Sequence, residues 1–457
     1  MKNSSYHRDF PRSRQYRIRA GRILNMQTAK FLVGAVLIIS ISGCQTPESK
    51  SVIIGINIEQ NVKNLNPLNI CDLNGELRYV PLKDNSILLK VAAESEFSED
   101  KILVSDRANC LLYDYQGNRL AVIGRKGKGP GEYNVIMKMK FGIQNQIYIQ
   151  SSGDFLVFDL NGNYLRMFKP EVNPEVITPV GAGTMYSWAP FNDSLFIGQV
   201  SNDSGQEKYK AVFFNRAGKT VKSVDNLIFL NKRQRYTSDD NCMASIYKLN
   251  GKTSFKEILN DTVFRVNDQF IFEPVYCLNL GKYKQPKEVR ELPFAEMNQE
   301  RKKYIFISKV FESPDYLFLD CNFQDHNPAK RAAPVNYKDA FGNTTEWWFY
   351  PAGMLGIYDK SSDKLVFAEP VKSDDRLTNS GLRNDYDGGV NFFPKKMVND
   401  STLAMWVDAW EFKAHVKSRA FKNSTPRYPE KKKELEKLAN GLNDSDNPVL
   451  ILCTFKK

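Results

Sequence analysis

Two stretches of the chain superpose without a gap at an offset of 45 residues. Ile102-Leu103-Val104 aligns with Ile147-Tyr148-Ile149, Leu111-Leu112-Tyr113-Asp114 with Leu156-Val157-Phe158-Asp159, and Gly117-Asn118-Arg119-Leu120 with Gly162-Asn163-Tyr164-Leu165. A period of about 40–50 residues filled with short β-prone segments marks the blade of a β-propeller. Both copies contain hairpin-turn chemistry, Asp114-Tyr115-Gln116-Gly117 and Asp159-Leu160-Asn161-Gly162. Asp opens such a turn and Gly takes its positive-φ position. Asn215-Arg216-Ala217-Gly218 is a third, weaker copy, set apart by a turn-rich stretch around Asn202-Asp203-Ser204-Gly205.

Six blades at about 40–50 residues each need about 240–300 residues plus insertions. Residues 76–457 provide them. The expected fold is therefore all-β, a six-bladed β-propeller. Ile87–Val91 reads as a strand opening the first blade, and Thr262–Val266 with Phe270–Tyr276 as a later hairpin. Tyr316–Asp320 and Met354–Asp359 read as fifth-blade strands flanking a long insertion, and Leu403–Val407 as the start of the sixth. Residues 429–440 read as a short helix inserted in the last blade, with Pro429 in its first turn and Gly441 stopping it. A closed ring must pair its ends to avoid exposed edges. The strand near Leu77–Leu82 is therefore expected beside the C-terminal strand Val449–Phe455.

The N-terminal region carries an address. Phe31–Ile41 is apolar but about half as long as the roughly 20 residues that span a bilayer. With Lys30 before it and Ser42-Gly43-Cys44 after it, it reads as a signal peptide. Ile41-Ser42-Gly43-Cys44 resembles the bacterial lipobox, which makes Cys44 the expected lipid attachment site. Residues 1–43 are then leader and signal peptide, with Met26 an alternative start to Met1, and residues 44–75 a tether. The leader also accounts for most of the positive charge. It holds eight of the 64 Lys and Arg and one of the 52 Asp and Glu, so removing it reduces the net charge from +12 to +5. The high pI is therefore no nucleic-acid footprint.

Six cysteines remain beyond Cys44. Cys110, Cys277 and Cys453 sit inside apolar strand patterns, where a free thiol behaves as a small buried hydrophobe. No CxxC or Cys/His spacing suggests zinc. His326 and His415 are the only histidines beyond the leader, too few to assemble a His-rich metal centre or a Ser-His-Asp triad. Oxygen-ligand calcium stays open, with Asp106 and Asp320 at apparent strand ends as weak candidates. Both also suit turn formation.

Gly124-Arg125-Lys126-Gly127-Lys128-Gly129-Pro130-Gly131-Glu132-Tyr133 follows the first repeat. It fails the phosphate-loop pattern, because Pro130 stands where Lys is required. Its glycines suit a change of direction between blades. This loop is similar to the blade-joining loop of NHL-type repeats. Together with the helix at 429–440 and Asp446-Asn447-Pro448-Val449-Leu450, it resembles the six-bladed propeller lipoproteins of Bacteroidota envelopes. That resemblance implies a fold and an envelope address rather than an activity. Gln45-Thr46-Pro47-Glu48 holds one acid only, so the resemblance leaves the periplasmic and surface faces undecided.

Arg125 and Lys126 are candidate anion-binding residues, with solvated loop charge as the plainer reading. Trp347 and Trp348, in the insertion from His326 to Pro351, are candidates for stacking on a sugar or peptide, with packing between blades as the plainer one. No catalytic group can be assembled. The expected function is a lipid-anchored scaffold of the cell envelope, at the outer membrane, that binds a ligand such as a glycan or an envelope protein; the expected partners also include the membrane, through the lipid, and no nucleic acid. The alternative is a propeller enzyme of the polysaccharide lyase, glycosidase or lactonase type, with its site at the central channel.

Overall fold

The computed structural model describes residues 52–89, 94–172, 185–202, 205–231, 244–328, 335–338, 344–347, 353–370 and 381–456. Six sheets form a six-bladed β-propeller. Each blade is a four-stranded antiparallel meander whose first strand lies innermost. The inner strands are Glu94–Phe97, Lys138–Phe141, Met185–Pro190, Ser245–Leu249, Phe306–Glu312 and Lys396–Met397, in blades 1 to 6. The 45-residue repeat corresponds to blades 1 and 2, whose second strands, Lys101–Ser105 and Ile147–Ser151, are buried along most of their length.

The ring closes as the two ends of the chain require. Gly75–Pro81 pairs antiparallel with Val449–Phe455 over seven residues, from Gly75 opposite Phe455 to Pro81 opposite Val449. The last blade thus takes its outermost strand from the N-terminal side and its other three from the C-terminal side. Its insertion holds the expected helix, Pro429–Asn440, and two shorter ones, Ala409–Lys417 and Arg419–Asn423. Leu435 and Ala439 bury the helix against Phe412, Val449 and Ile451 in one apolar cluster.

Four expectations are corrected. The chain joins the propeller well before residue 76. Ile54–Asn57 adds a fifth, parallel strand to blade 4, and Leu65–Asn66 does the same for blade 5. Residues 44–51 lie outside the described residues. Ile87–Leu89 forms no strand; Leu89 is instead held by the side chain of Asn447, and the blade opens at Glu94. Leu403–Val407 lies in the second strand of blade 6, because two residues of inner strand, Lys396–Met397, precede it. Cys277 is exposed, since it falls on the outward-facing parity of its strand, whereas Cys71, Cys110, Cys321 and Cys453 are buried free thiols.

Candidate functional site

All six inner strands line one central cavity of about 520 Å³. Side chains two apart on a strand share a face, so Lys138 and Lys140 both reach the cavity while Met139 is buried on the other side. Glu94 and Glu96 do the same on blade 1; Lys309 on blade 5, Lys396 in the inner strand of blade 6 and Lys395 just before that strand also line the cavity. Near one mouth, therefore, five lysines meet two glutamates.

The register shows how they are held. Glu94, Lys138, Ser187, Ser245, Lys309 and Lys396 face Ser105, Gln150, Gln199, Lys256, Asp320 and Ala404 on the second strands of their own blades. This is the same rung in blades 1 to 5; in blade 6 Lys396 and Ala404 stand closer to the hairpin turn. Three of the second-strand residues brace the next blade. Gln150 donates to the carbonyl of Met185 at 2.7 Å and accepts from Trp188 Nε1 at 2.8 Å. Gln199 accepts from the Ala244 amide at 2.7 Å, and Lys256 donates to the Ile307 carbonyl at 3.0 Å. The inner strands are thus fixed from behind, which leaves the front of the rung for the cavity.

Glu96 is the electrostatic centre of one side. Lys140 Nζ lies 2.7 Å from its Oε1, and Lys396 donates to the same oxygen. Burial alone would push this carboxyl up, but the two ammonium groups outweigh it and hold its pKa below the usual carboxylate value. Burial likewise lowers Lys140, to about 8, with Glu96 offsetting only part of the effect. Lys396 ends above its ordinary value because Glu96 and Glu94 together outweigh its burial.

The other side is different. Burial lowers both Lys309 and Lys395, and Asp320 only partly compensates. Lys395 Nζ lies over the Phe393 ring at 4.3 Å. Asp320 is itself pushed up by burial, against the opposing pull of Lys395 and Lys309. Its Oδ1 lies against Gly353, where an added Cβ would come within 2.2 Å.

The residues singled out in the sequence fall in several places. Asp320 belongs to the cavity wall, in the second strand of blade 5, with two lysines beside it rather than further oxygen ligands. Asp106 closes its own turn, accepting from the amides of Ala108 at 3.0 Å and Asn109 at 2.7 Å. Among the described residues, no group of three or more His, Cys, Asp or Glu side chains could hold a metal ion. Arg125 and Lys126 lie on the outer loop, not in the cavity. Arg125 pairs with Glu132 at 2.7 Å, and Glu132 also accepts from the Gly129 amide at 2.8 Å, so this loop is tied to itself. Trp347 ends one strand of a small hairpin, Val335–Lys338 with Thr344–Trp347. Trp348 and Cys44 lie outside the described residues.

The channel lysines were missed in the sequence, although a signal was present. Glu94-Ser95-Glu96 and Lys138-Met139-Lys140 stand one blade apart and carry opposite charges at alternate positions. Adjacent inner strands can pair such charges, as Glu96 and Lys140 do. A glycosidase needs two facing acids about 5–10 Å apart across a substrate, and the acids that line this cavity are Glu94, Glu96 and Asp400. Glu94 and Glu96 share one strand and Lys396, while Asp400 accepts from the Asn250 amide at 2.9 Å.

Fold and cavity together define a six-bladed β-propeller with a basic central channel. Over residues 53–454 the sequence matches the family described as Domain of unknown function (DUF4934), and the chain belongs to that family. The fold is similar to that of a candidate exported protein from Bacteroides fragilis NCTC 9343, with 16% identity, a TM-score of 0.60, and coverage of 89% of this chain and 100% of that one. A member of the DUF4221 family from Bacteroides vulgatus ATCC 8482 aligns at 8% identity and a TM-score of 0.40, covering 64% of this chain and 84% of that one. No curated protein matches the sequence.

Proposed function

We propose that this protein is a lipid-anchored propeller of the cell envelope that acts as a binding scaffold, with the central channel as its ligand site. The observation that carries the reading is the channel itself: a cavity of ligand size, braced from behind in successive blades and lined by lysines. A scaffold reading needs a rigid, shaped cavity and no catalytic group, and it fits better than the lyase, glycosidase or lactonase alternative. The envelope address rests on the signal peptide and lipobox ending at Cys44, and the exported character ascribed to the B. fragilis neighbour agrees with it. Among the described residues no helix is long and apolar enough to cross a membrane. Acyl chains on Cys44 would provide the attachment, since two or more chains hold a protein stably where one does not. Trp347 and Trp348, and the Arg125–Lys126 loop, are offered as further contacts for an envelope partner.

The test of the address is Cys44→Ala. Fractionation is expected to move the protein from the membrane to the soluble fraction; retention in the membrane would count against lipid anchoring.

A further inference from the structure

The chemistry of the channel narrows the ligand class, on the premise that the channel is the binding site. Around its basic mouth stand Lys138, Lys140, Lys309, Lys395 and Lys396, against Glu94 and Glu96 in the lining and Asp320 in the wall. That is an excess of two positive charges in a confined space. The two sides of the mouth are not equivalent. Lys140 and Lys396 are committed to Glu96, whereas the ammonium groups of Lys309 and Lys395 make no ion pair or hydrogen bond among the described residues. The nearest compensating carboxyl, that of Asp320, is turned onto Gly353. An ammonium group held in a low-dielectric cleft with its burial only partly compensated is unfavourable, and a bound anion reduces that penalty. Confinement also focuses the field on the space between the two lysines.

The cavity continues from this mouth to Phe97 and Phe141, each three residues further along its inner strand than Glu94 and Lys138. At the usual rise per residue that is about 10 Å, room for a body attached to the charged group.

We propose that the channel mouth is a binding site for a small organic oxyanion, a carboxylate or a phosphate ester, whose charged group sits between Lys309 and Lys395 while its body extends down the channel. Lys138 adds to the field, and Glu96 keeps Lys140 and Lys396 in place rather than available.

Three probes with the same body isolate the charge: glucose, glucuronate and glucose 6-phosphate, with inorganic phosphate as head group alone. Thermal shift and titration calorimetry on the purified chain are expected to show saturable binding of at least one of the anions. This binding should weaken as salt rises, with no response to glucose. A preference between glucuronate and glucose 6-phosphate separates carboxylate from phosphate. Lys309→Met with Lys395→Met is expected to weaken anion binding by at least about tenfold, the scale of one lost charge-assisted hydrogen bond. The Lys309→Arg, Lys395→Arg pair should retain binding and show that the site tolerates substitution. Arg125→Ala with Lys126→Ala, on the outer loop, should change nothing. Absence of binding by all three anions overturns the proposal, as does wild-type affinity in the double Met variant. Equal binding of glucose and the anions, unaffected by either lysine, overturns the anion assignment while leaving the channel as a binding site.

Discussion

Lys256 shows how a single side chain can join two blades at the expense of its own solvation. It is fully buried, and its Nζ donates to the carbonyls of Ile258 at 3.2 Å and Ile307 at 3.0 Å, across the boundary between blades 4 and 5. Burial lowers its pKa from 10.5 to about 8. In the unfolded chain a lysine titrates near 10.4. From about pH 8 to 10 the unfolded state therefore binds more protons than the folded one, so this group makes stability rise with pH across that window. Below pH 8 it is charged in both states and its contribution is flat and unfavourable. Thermal melts of wild type and Lys256→Met should give a difference in Tm, wild type minus variant, that increases from pH 7.5 to 10. A difference that stays level or falls would contradict the burial of a titrating amine. At this scale the sequence was partly legible. The Asp and Gly of the turns could be read from local chemistry, since a turn is specified by four adjacent residues. Lys256, Gln150 and Gln199 could not, because their roles depend on a neighbouring blade.

The recurring element is the turn between third and fourth strands. Asp114 Oδ1 accepts from the amides of Gln116 at 2.9 Å and Asn118 at 2.8 Å. Asp159 repeats the pattern with Asn161 and Asn163 at 2.9 and 2.8 Å, and Asn215 with Ala217 and Lys219 at 2.9 and 3.1 Å. Asn267 does the same with Gln269 and Ile271, both at 3.0 Å. In blades 1 to 4 a register shift follows in the third–fourth strand pairing, so turn and bulge come as one unit. The fourth copy hides from a sequence search because Phe270 occupies the positive-φ position, at 64°, where the other three have Gly. Its ring packs instead on Phe213 and Phe191.

Gly162 has φ of +86°, and a Cβ there would lie 2.3 Å from the Val122 carbonyl of blade 1. Gly162→Ala combines backbone strain with a clash and should destabilise the fold by on the order of 1–3 kcal/mol. Gly251 has a similar φ of +75° but open space around it. Gly251→Ala should therefore lose less in a urea melt. Equal losses would mean that the turn of blade 2 does not rest on blade 1.

At the scale of the molecule, what the sequence made legible was whatever the repeat and the two ends dictate. The 45-residue period defines a blade, chain length limits the number of blades, and an unpaired edge at each end calls for closure. The parallel additions of Ile54–Asn57 and Leu65–Asn66 were not legible, because short strands with loose alternation look like linker until a partner edge is known. The basic channel was hidden for a related reason. Its lysines are spread over blades 2, 5 and 6, some 260 residues apart in the chain, and only a closed ring assembles them. The candidate site therefore depends on closure more than on any one side chain.

Closure can be measured directly. Leu77 lies opposite Cys453 in the pairing of Gly75–Pro81 with Val449–Phe455, and both belong to the same apolar cluster. Directly opposed residues of antiparallel strands are about 4.5–5.5 Å apart at Cα, within the range a disulfide spans. Leu77→Cys, placed in a Cys71→Ala background so that Cys453 has one partner, should form an intramolecular disulfide on mild oxidation. Mass spectrometry should find the 77–453 linkage, and Tm should rise by an amount corresponding to about 2–4 kcal/mol. Failure of the two thiols to join in the folded protein would mean that the ends do not meet, and the ring with its channel would not exist.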